Sequence, residues 1–312
     1  MALIRIICVL CLIGVSLASA QPAPGPDPAV LQARLDAALA SAAWDSALVP
    51  AESIAVLDQE RFLGSLYTVL RIHCRRGDRA HAYQTLEQLL DAGYGDYHQL
   101  RVEPEFSLIN QEERFLTTVR RSWSRQYIQM LERDSRDDMQ KPAAIMEALA
   151  VRPGERVADI GAGSGYFTLR LAQAVGDGGR VWALDIRQEM LDYIANRLRE
   201  AQITNVELKR VPADDPQLPP GGIDTILMVD TIHYVKDRAG YARKLREGLA
   251  PGGRVVIIDF RYDPEAQREF APPIEQQVPR ETLDREMAEA GLKVVSSHDF
   301  LPEQYFVVYA AQ

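Results

Sequence analysis

Only three cysteines occur in the 312 residues, and two of them, Cys8 and Cys11, fall within an apolar run near the start. If that run is removed, Cys74 is the sole thiol and no internal disulfide can form. An oxidising compartment is then permitted but not required. Positive charge is in deficit: the formal net charge is −9. This counts against a nucleic-acid partner, because neutralising phosphates needs clustered Lys and Arg. The one local basic group, Arg120, Arg121 and Arg125 around Trp123, reads as a solvated helix face. The sequence has no Gly-Lys-Ser/Thr phosphate loop and no serine-nucleophile elbow. His73, His81, His98 and His298 are scattered, without carboxylates or cysteines at ligand spacing, so no metal site is expected.

No apolar run is long enough to span the roughly 30 Å of a bilayer core. The longest N-terminal one, Ile6 to Leu17, follows Arg5 and precedes Ala18-Ser19-Ala20. A basic start, a short apolar run and small residues at −3 and −1 are the layout of a secretory signal, here residues 1–20 with cleavage before Gln21. The mature chain is expected to be exported, to a periplasm, with no membrane span. An uncleaved anchor is the alternative. Residues 21–28, QPAPGPDP, form a proline-rich flexible leader.

The whole chain is 47% apolar and 25% charged, which is ordinary globular composition, and its length suits two domains. Residues 29–135 read as helical. Ala29 to Ala43 is Ala-rich with helical spacing, and Arg61 to Cys74 carries Phe62, Leu66, Val69, Leu70 and Ile72. Gly77-Asp78 then makes a turn in which Asp78 can cap a helix presenting Ala82, Leu86, Leu89 and Leu90 on one face. Glu112 to Leu131 is a further helix. The helix pair about Gly77-Asp78 resembles a tetratricopeptide repeat, although the leading Trp is absent and one repeat stands where about three are usual. That resemblance implies a protein or peptide partner.

From residue 136 to 312 strands alternate with helices, the pattern of an α/β domain with a largely parallel sheet. The strands are Arg156–Gly161, Val181–Ile186, Val206–Val211, Ile223–Asp230, Arg254–Phe260, Lys293–Phe300 and Tyr305–Ala311. The helices are Ser164–Val175, Gln188–Ala201, Asp237–Leu249 and Arg280–Ala290. Only Leu301-Pro302-Glu303-Gln304 separates the last two strands, which makes them an antiparallel hairpin.

Chemistry concentrates in RVADIGAGSGYFTLRLA, Arg156 to Ala172. The strand ends at Ile160, and Gly161, Gly163 and Gly165 turn the chain into a helix. Glycine allows positive φ and close ligand approach, and the helix start supplies free N–H groups. In an open α/β sheet the ligand crevice lies at the strands' carboxyl ends. The spacing G-x-G-x-G, with Tyr166 where a dinucleotide fingerprint has its third glycine, departs from the NAD pattern, which leaves an NAD-dependent oxidoreductase as the weaker alternative. Asp159 stands before the turn, able to accept from an ammonium or to orient the loop. Asp185 ends the second strand, where a ribose-binding carboxylate belongs.

VADIGAGSGYFT, VWALDI, ILMVDTIHYV and LAPGGRVVIIDF, in that order, resemble the class I S-adenosylmethionine-dependent methyltransferases, in particular a bacterial branch closing with a hairpin like DFLPEQYFVV. The resemblance implies a seven-stranded Rossmann-like sheet with the last strand antiparallel, and S-adenosyl-L-methionine as cofactor. It implies that Asp159 and the Gly161-Ala162-Gly163 turn through Gly165 hold the methionine end, and that Asp185, with Ile186 beside it, holds the ribose. It further implies that Asp214, or its neighbour Asp215, binds the adenine amino group, and that Asp230 borders the methyl-transfer site. A helix before the first strand would lid the cofactor through Met139, where relatives often carry an aromatic residue.

His233 and Tyr234, just past the fourth strand, sit where an acceptor would lie, and His233 is the candidate base if the acceptor must lose a proton. Helix capping or packing is the competing reading of His233. Export raises a tension with a cofactor made in the cytoplasm. A non-catalytic nucleoside sensor in the envelope is therefore kept beside the enzyme reading. If the leader is processed as read, N-terminal sequencing of the protein from the periplasmic fraction will begin at Gln21. Retention of residues 1–20 would establish the anchored form.

Overall fold

The structure, a computed structural model, describes residues 28–57, 62–266, 268 and 270–312, so the expected signal segment lies outside the described residues. The chain divides into two compact units, Met1–Leu116 and Thr117–Gln312. Among the described residues no helix is long and apolar enough to cross a membrane.

The first unit is helical: α1 (Pro28–Ala40), α2 (Trp44–Leu57), α3 (Phe62–Arg75), α4 (Arg79–Asp91), α5 (Tyr97–Val102) and the start of α6 (Glu113–Leu131). Leu31 and Leu35 of α1, Ala47 and Ala51 of α2, and Val69 and Ile72 of α3 share one core. Small alanines let α2 approach its neighbours closely. Gly77 takes φ +73° between α3 and α4, and Asp78 caps α4 by accepting from the His81 N–H at 3.2 Å. The expected inward face, Ala82, Leu86, Leu89 and Leu90, is fully buried.

The division between units falls inside α6 rather than near residue 135. The second half of α6 carries Trp123, Tyr127, Met130 and Leu131 at spacings of four, three and one, so they share a helix face. That face is part of the second unit.

The second unit continues through α7 (Arg136–Gln140), α8 (Pro142–Leu149), β1 (Arg156–Ile160), α9 (Thr168–Val175), β2 (Arg180–Asp185), α10 (Gln188–Glu200), β3 (Val206–Arg210) and β4 (Ile223–Val229). It ends with α11 (Arg238–Gly248), β5 (Leu249–Phe260), α12 (Arg280–Glu289), β6 (Leu292–His298) and β7 (Gln304–Ala311). The seven strands form one sheet in the order β3-β2-β1-β4-β5-β7-β6. β1 to β5 are mutually parallel, and β7 runs antiparallel to both β5 and β6. This is the expected seven-stranded Rossmann-like sheet with its closing antiparallel hairpin.

Strand periodicity divides the core between the two faces. Ile226, Met228, Val255 and Ile257 pack on one side with Tyr241 and Leu245 of α11 and Leu283 and Met287 of α12. Leu227, Val229, Val256 and Ile258 pack on the other with Ile145 and Leu149 of α8 and Leu171 and Val175 of α9. Leu191, Ile194 and Leu198 of α10 pack with Ala162 and Ala183. Two boundaries differ most from the sequence reading: β5 begins at Leu249, not Arg254, and α9 begins at Thr168, not Ser164. Gly161, Gly163 and Gly165 all hold positive φ, and this lengthens the turn before helical geometry can start.

Strand order reverses between β1 and β4, so their carboxyl ends open the crevice of the fold. Phe306 of β7 is fully buried between the sheet and the helices that flank it. Phe306→Ala is expected to cost about 3–5 kcal/mol, measured as a lowered urea midpoint for the α/β unit.

Candidate functional site

At the reversal point lies a cavity of about 600 Å³, wholly within the second unit. A volume of several hundred Å³ is the size expected of a cofactor site. Its floor is the glycine turn and the ends of β2 and β4; α6, α7 and the segment 270–273 wall it.

The glycine turn is fixed by Asp185. One carboxylate oxygen accepts from the Gly163 N–H at 2.9 Å and the other from the Arg187 N–H at 2.9 Å. Gly161 and Ala162 both donate to the Leu184 carbonyl, at 2.8 and 3.1 Å. Burial raises the Asp185 carboxyl above its ordinary range, and the N–H donors from Arg187 and Gly163 pull it back down. Gly161 cannot be replaced without conflict: φ is +74°, and a Cβ would stand 2.3 Å from Thr231 Oγ1.

The expected site residues separate into two groups. Gly161, Ala162, Gly163, Asp185, Ile186, Asp230, His233 and Tyr234 all line the cavity. Asp159 is buried behind the turn and accepts from Thr168 Oγ1 at 2.6 Å, the loop-orienting role of the two considered for it. Gly165 packs against α10, where a Cβ would meet Ile194 at 2.9 Å. Asp214 and Asp215 lie off the cavity, whose wall after β3 is Val211, Pro212 and Ala213. Asp215 instead faces Lys244 at 3.3 Å. Tyr166, at the position of the missing third glycine, is buried and bonds Asp137.

Asp230 ends β4 with φ +49°, a conformation that a non-glycine residue rarely adopts. Two glutamines hold it there. Gln140 Nε2 donates to one carboxylate oxygen at 2.7 Å and Gln304 Nε2 to the other. Arg136 Nε in turn donates to Gln140 Oε1 at 2.7 Å, and its guanidinium lies 4.0 Å over the Tyr166 ring. Arg136 is buried, lines the cavity and has its pKa lowered by that burial.

His233 is 7% exposed. Its Nδ1 lies 2.8 and 2.9 Å from the two carboxylate oxygens of Asp259, at the end of β5. Nε2 is buried and has no hydrogen-bond partner. The Tyr234 ring sits 4.1 Å from the His233 ring, and burial raises the Tyr234 hydroxyl above its usual value. An imidazole held at one nitrogen by a carboxylate, with the other nitrogen unpartnered, can accept a proton.

Four features were not foreseen in the sequence. Asp259 lies inside VVIIDF and carried no signal of its pairing with His233. Gln304 lies inside the quoted hairpin motif, yet its reach to Asp230 depends on the β5–β7 register. Arg136 had no motif at all. Trp123 was read with its basic neighbours as solvated. The three arginines are exposed, but Trp123 lines the cavity, stacks on Tyr127 at 4.7 Å and carries the Arg187 guanidinium 3.6 Å above its ring. Met139, expected on the lid, also lines the cavity.

These residues fit S-adenosylmethionine. Asp185 is a carboxylate at the cavity edge with lone pairs to spare for ribose hydroxyls. Asp230 suits a cation, and the desolvated Arg136 suits a carboxylate.

Residues 152–300 match the family described as methyltransferase domain. The chain is 27% identical over 176 residues to the ubiquinone/menaquinone biosynthesis C-methyltransferase UbiE of Vibrio parahaemolyticus, covering 47% of this chain and 68% of that one. It is 31% identical over 116 residues to the same-named protein of Shewanella frigidimarina, covering 37% of this chain and 46% of that one. In fold it is similar to the crystal structure of a SAM-dependent methyltransferase from Aquifex aeolicus, with TM-score 0.54, 24% identity, and coverage of 58% of this chain and 95% of that one.

Two outcomes are expected from calorimetric titration with S-adenosylmethionine. Asp185→Ala should weaken binding by roughly tenfold or more, since a hydrogen bond to a charged group contributes about 1.5–3 kcal/mol. Binding should also depend on pH. Burial and the nearby Asp259 carboxylate push Asp230 up to about 7, against the pull of Arg136, His233 and Gln304. Its folded-state value lies above the ordinary one, so its contribution to stability is present at low pH and lost as pH rises through about 7. Ionised Asp230 attracts a sulfonium, so affinity should rise from pH 6 to 8, by about tenfold for one unit of pKa change on binding. Asp230→Asn should flatten that dependence.

Proposed function

We propose, from the premise that this chain is an S-adenosylmethionine-dependent methyltransferase, that its acceptor is a planar aromatic small molecule bearing an ionisable hydroxyl, with His233 as the general base. The observation that carries this reading is the His233–Asp259 pair, in a residue that lines the cavity and whose Nε2 is buried and unpartnered. A methyl acceptor that is already a free nucleophile needs no base; one that must shed a proton does.

The bound cofactor supplies a methyl group activated on a sulfonium. Everything else falls to the chain's own residues. Asp259 holds the proton on Nδ1, which leaves the Nε2 lone pair to take the acceptor's hydroxyl proton. The electron pair left on the acceptor, shared between its oxygen and the adjacent ring carbon, attacks the methyl carbon. The bonding pair of the broken C–S bond stays with sulfur. Asp230, held by Gln140 and Gln304, faces the cavity as a counter-charge for the cation. Positioning of this kind can contribute on the order of 7–11 kcal/mol.

The aromatic walls support a flat acceptor. Trp123, Tyr127, Tyr234, Phe260 and Phe270 line the cavity, and the Arg133 guanidinium lies 3.4 Å over Phe270. Rings in contact with a flat ligand gain area burial and offset stacking. The UbiE relatives are named for quinone biosynthesis and C-methylation, and a hydroxylated ring is the chemistry that such a name and this base have in common.

The proposal extends to placement. An exported enzyme, secreted through residues 1–20, would act on an envelope acceptor and draw on cofactor delivered there. The α3–α4 hairpin, with Ala82 and Leu86 turned inward as in a tetratricopeptide repeat, would recruit a protein partner.

Labelled methyl transfer into fractionated cell extract tests the reading. Label should enter a small organic-soluble aromatic product. His233→Ala should lower kcat by about 10²- to 10⁴-fold while leaving cofactor affinity close to that of the unaltered protein. Asp259→Asn should lower kcat less. Cofactor binding with no acceptor in any fraction would favour the sensor alternative. Full activity in His233→Ala would remove the base.

A further inference from the structure

The histidines taken from sequence as scattered are not all so. The α3–α4 turn brings His73 and His81 together with Asp78. We propose that His73, Asp78 and His81 form a binding site for one divalent transition-metal ion of the zinc class.

His73 lies in the last turn of α3, Asp78 caps α4, and His81 follows in the first turn of α4. Their ligand atoms all fall within 4.8 Å of one another. His81 Nδ1 is 2.7 Å and His73 Nδ1 is 3.8 Å from the same oxygen, Oδ2 of Asp78. The two imidazole rings are stacked, 5.3 Å apart and 19° from parallel. Zinc bonds nitrogen and oxygen at about 2.0–2.2 Å in tetrahedral geometry, which sets its ligand atoms about 3.4 Å apart. Rotation of the exposed His81 side chain, with opening of its bond to Asp78, would bring all three ligand atoms onto one ion.

The independent observation is His73 itself. Its side chain is 5% exposed, and its Nδ1 is buried with no hydrogen-bond partner. A buried ring nitrogen left unpaired costs free energy that a bound cation would recover. Burial lowers the proton affinity of His73, and so leaves it neutral with a lone pair to donate. The His81 backbone N–H, donating to Asp78, keeps that carboxyl below its ordinary range, so it is ionised.

Imidazole and carboxylate together suit zinc, cobalt and nickel better than magnesium or calcium. The nearby cations are engaged elsewhere: Arg76 pairs with Asp45 at 2.8 Å and Arg79 with Glu112 at 3.0 Å. Cys74, the next residue, is not in the group whose ligand atoms fall within 4.8 Å of one another. Solvent would complete the coordination. An ion there joins the end of one helix to the start of the next across Gly77, and so would stabilise the hairpin by the linkage between binding and folding.

The test uses the full chain without a histidine tag, stripped with a chelator. Zn²⁺ is titrated against a chromophoric chelator, Co²⁺ binding is followed by visible absorption, and the unfolding midpoint is recorded with and without Zn²⁺. One equivalent of Zn²⁺ should bind and raise the midpoint of the helical unit. His81→Ala removes a ligand whose side chain is 61% exposed, and Asp78→Asn keeps an oxygen for the helix cap. Each should weaken Zn²⁺ binding at least about tenfold and abolish the rise in midpoint, with circular dichroism in chelator unchanged. No saturable binding of either ion would overturn the proposal. So would affinity in both variants unchanged from that of the unaltered chain, because the ion would then sit at other histidines. All three residues belong to the helical unit, so methyl transfer can fail or succeed without bearing on this result.

Discussion

The site depends on one interaction, the bond from the Gly163 N–H to the buried Asp185 carboxylate. A carboxylate at the end of β2 would be costly to bury without donors. The glycine turn supplies one and the Arg187 N–H the other. In meeting that need the turn is pinned against the neighbouring strand, and its positive-φ glycines Gly161 and Gly163 place main-chain atoms on the cavity floor. The helix that follows is delayed to Thr168 for the same reason.

The rest of the cavity applies this logic to other charges. Asp259 and Arg136 are buried and Asp230 is half-buried, and both carboxylates are held by neighbours from distant parts of the chain. Arg136 and Gln140 come from α7, Gln304 from β7 and His233 from the turn after β4. A chain of bonds runs Arg136–Gln140–Asp230–Gln304, and beside it stands the His233–Asp259 pair. Burial, with the Asp259 carboxylate nearby, raises the proton affinity of Asp230, so Asp230 can hold or release a proton near neutral pH. Buried networks of this kind need every member, which explains how a glutamine in a closing hairpin comes to matter to a site built on β4.

Much of this was legible in the residues. Strands that are buried on both faces read as unbroken apolar runs, and β4 and β5 did so. The glycine spacing marked the turn, and Asp185 followed from its place at the end of the next strand. Asp78 as a cap and the inward face of α4 followed from local rules alone. Asp214 and Asp215 show where such transfer from motif position stops. The loop after β3 turns Ala213 to the cavity and Asp215 to Lys244, and spacing along a loop does not fix which way its side chains point.

The sequence by itself determined the sheet, its closing hairpin and the glycine turn, because these rest on periodicities of two and 3.6 and on backbone freedom at single residues. Only the tertiary structure decided which polar groups meet: His233 with Asp259, Gln304 with Asp230, Trp123 with the cavity, and His73 with Asp78 and His81. Those pairings join residues set far apart by strand order, or set on one side by the rotation of a helix end. A side chain's chemistry is local, but its partner is chosen by where packing brings the rest of the chain.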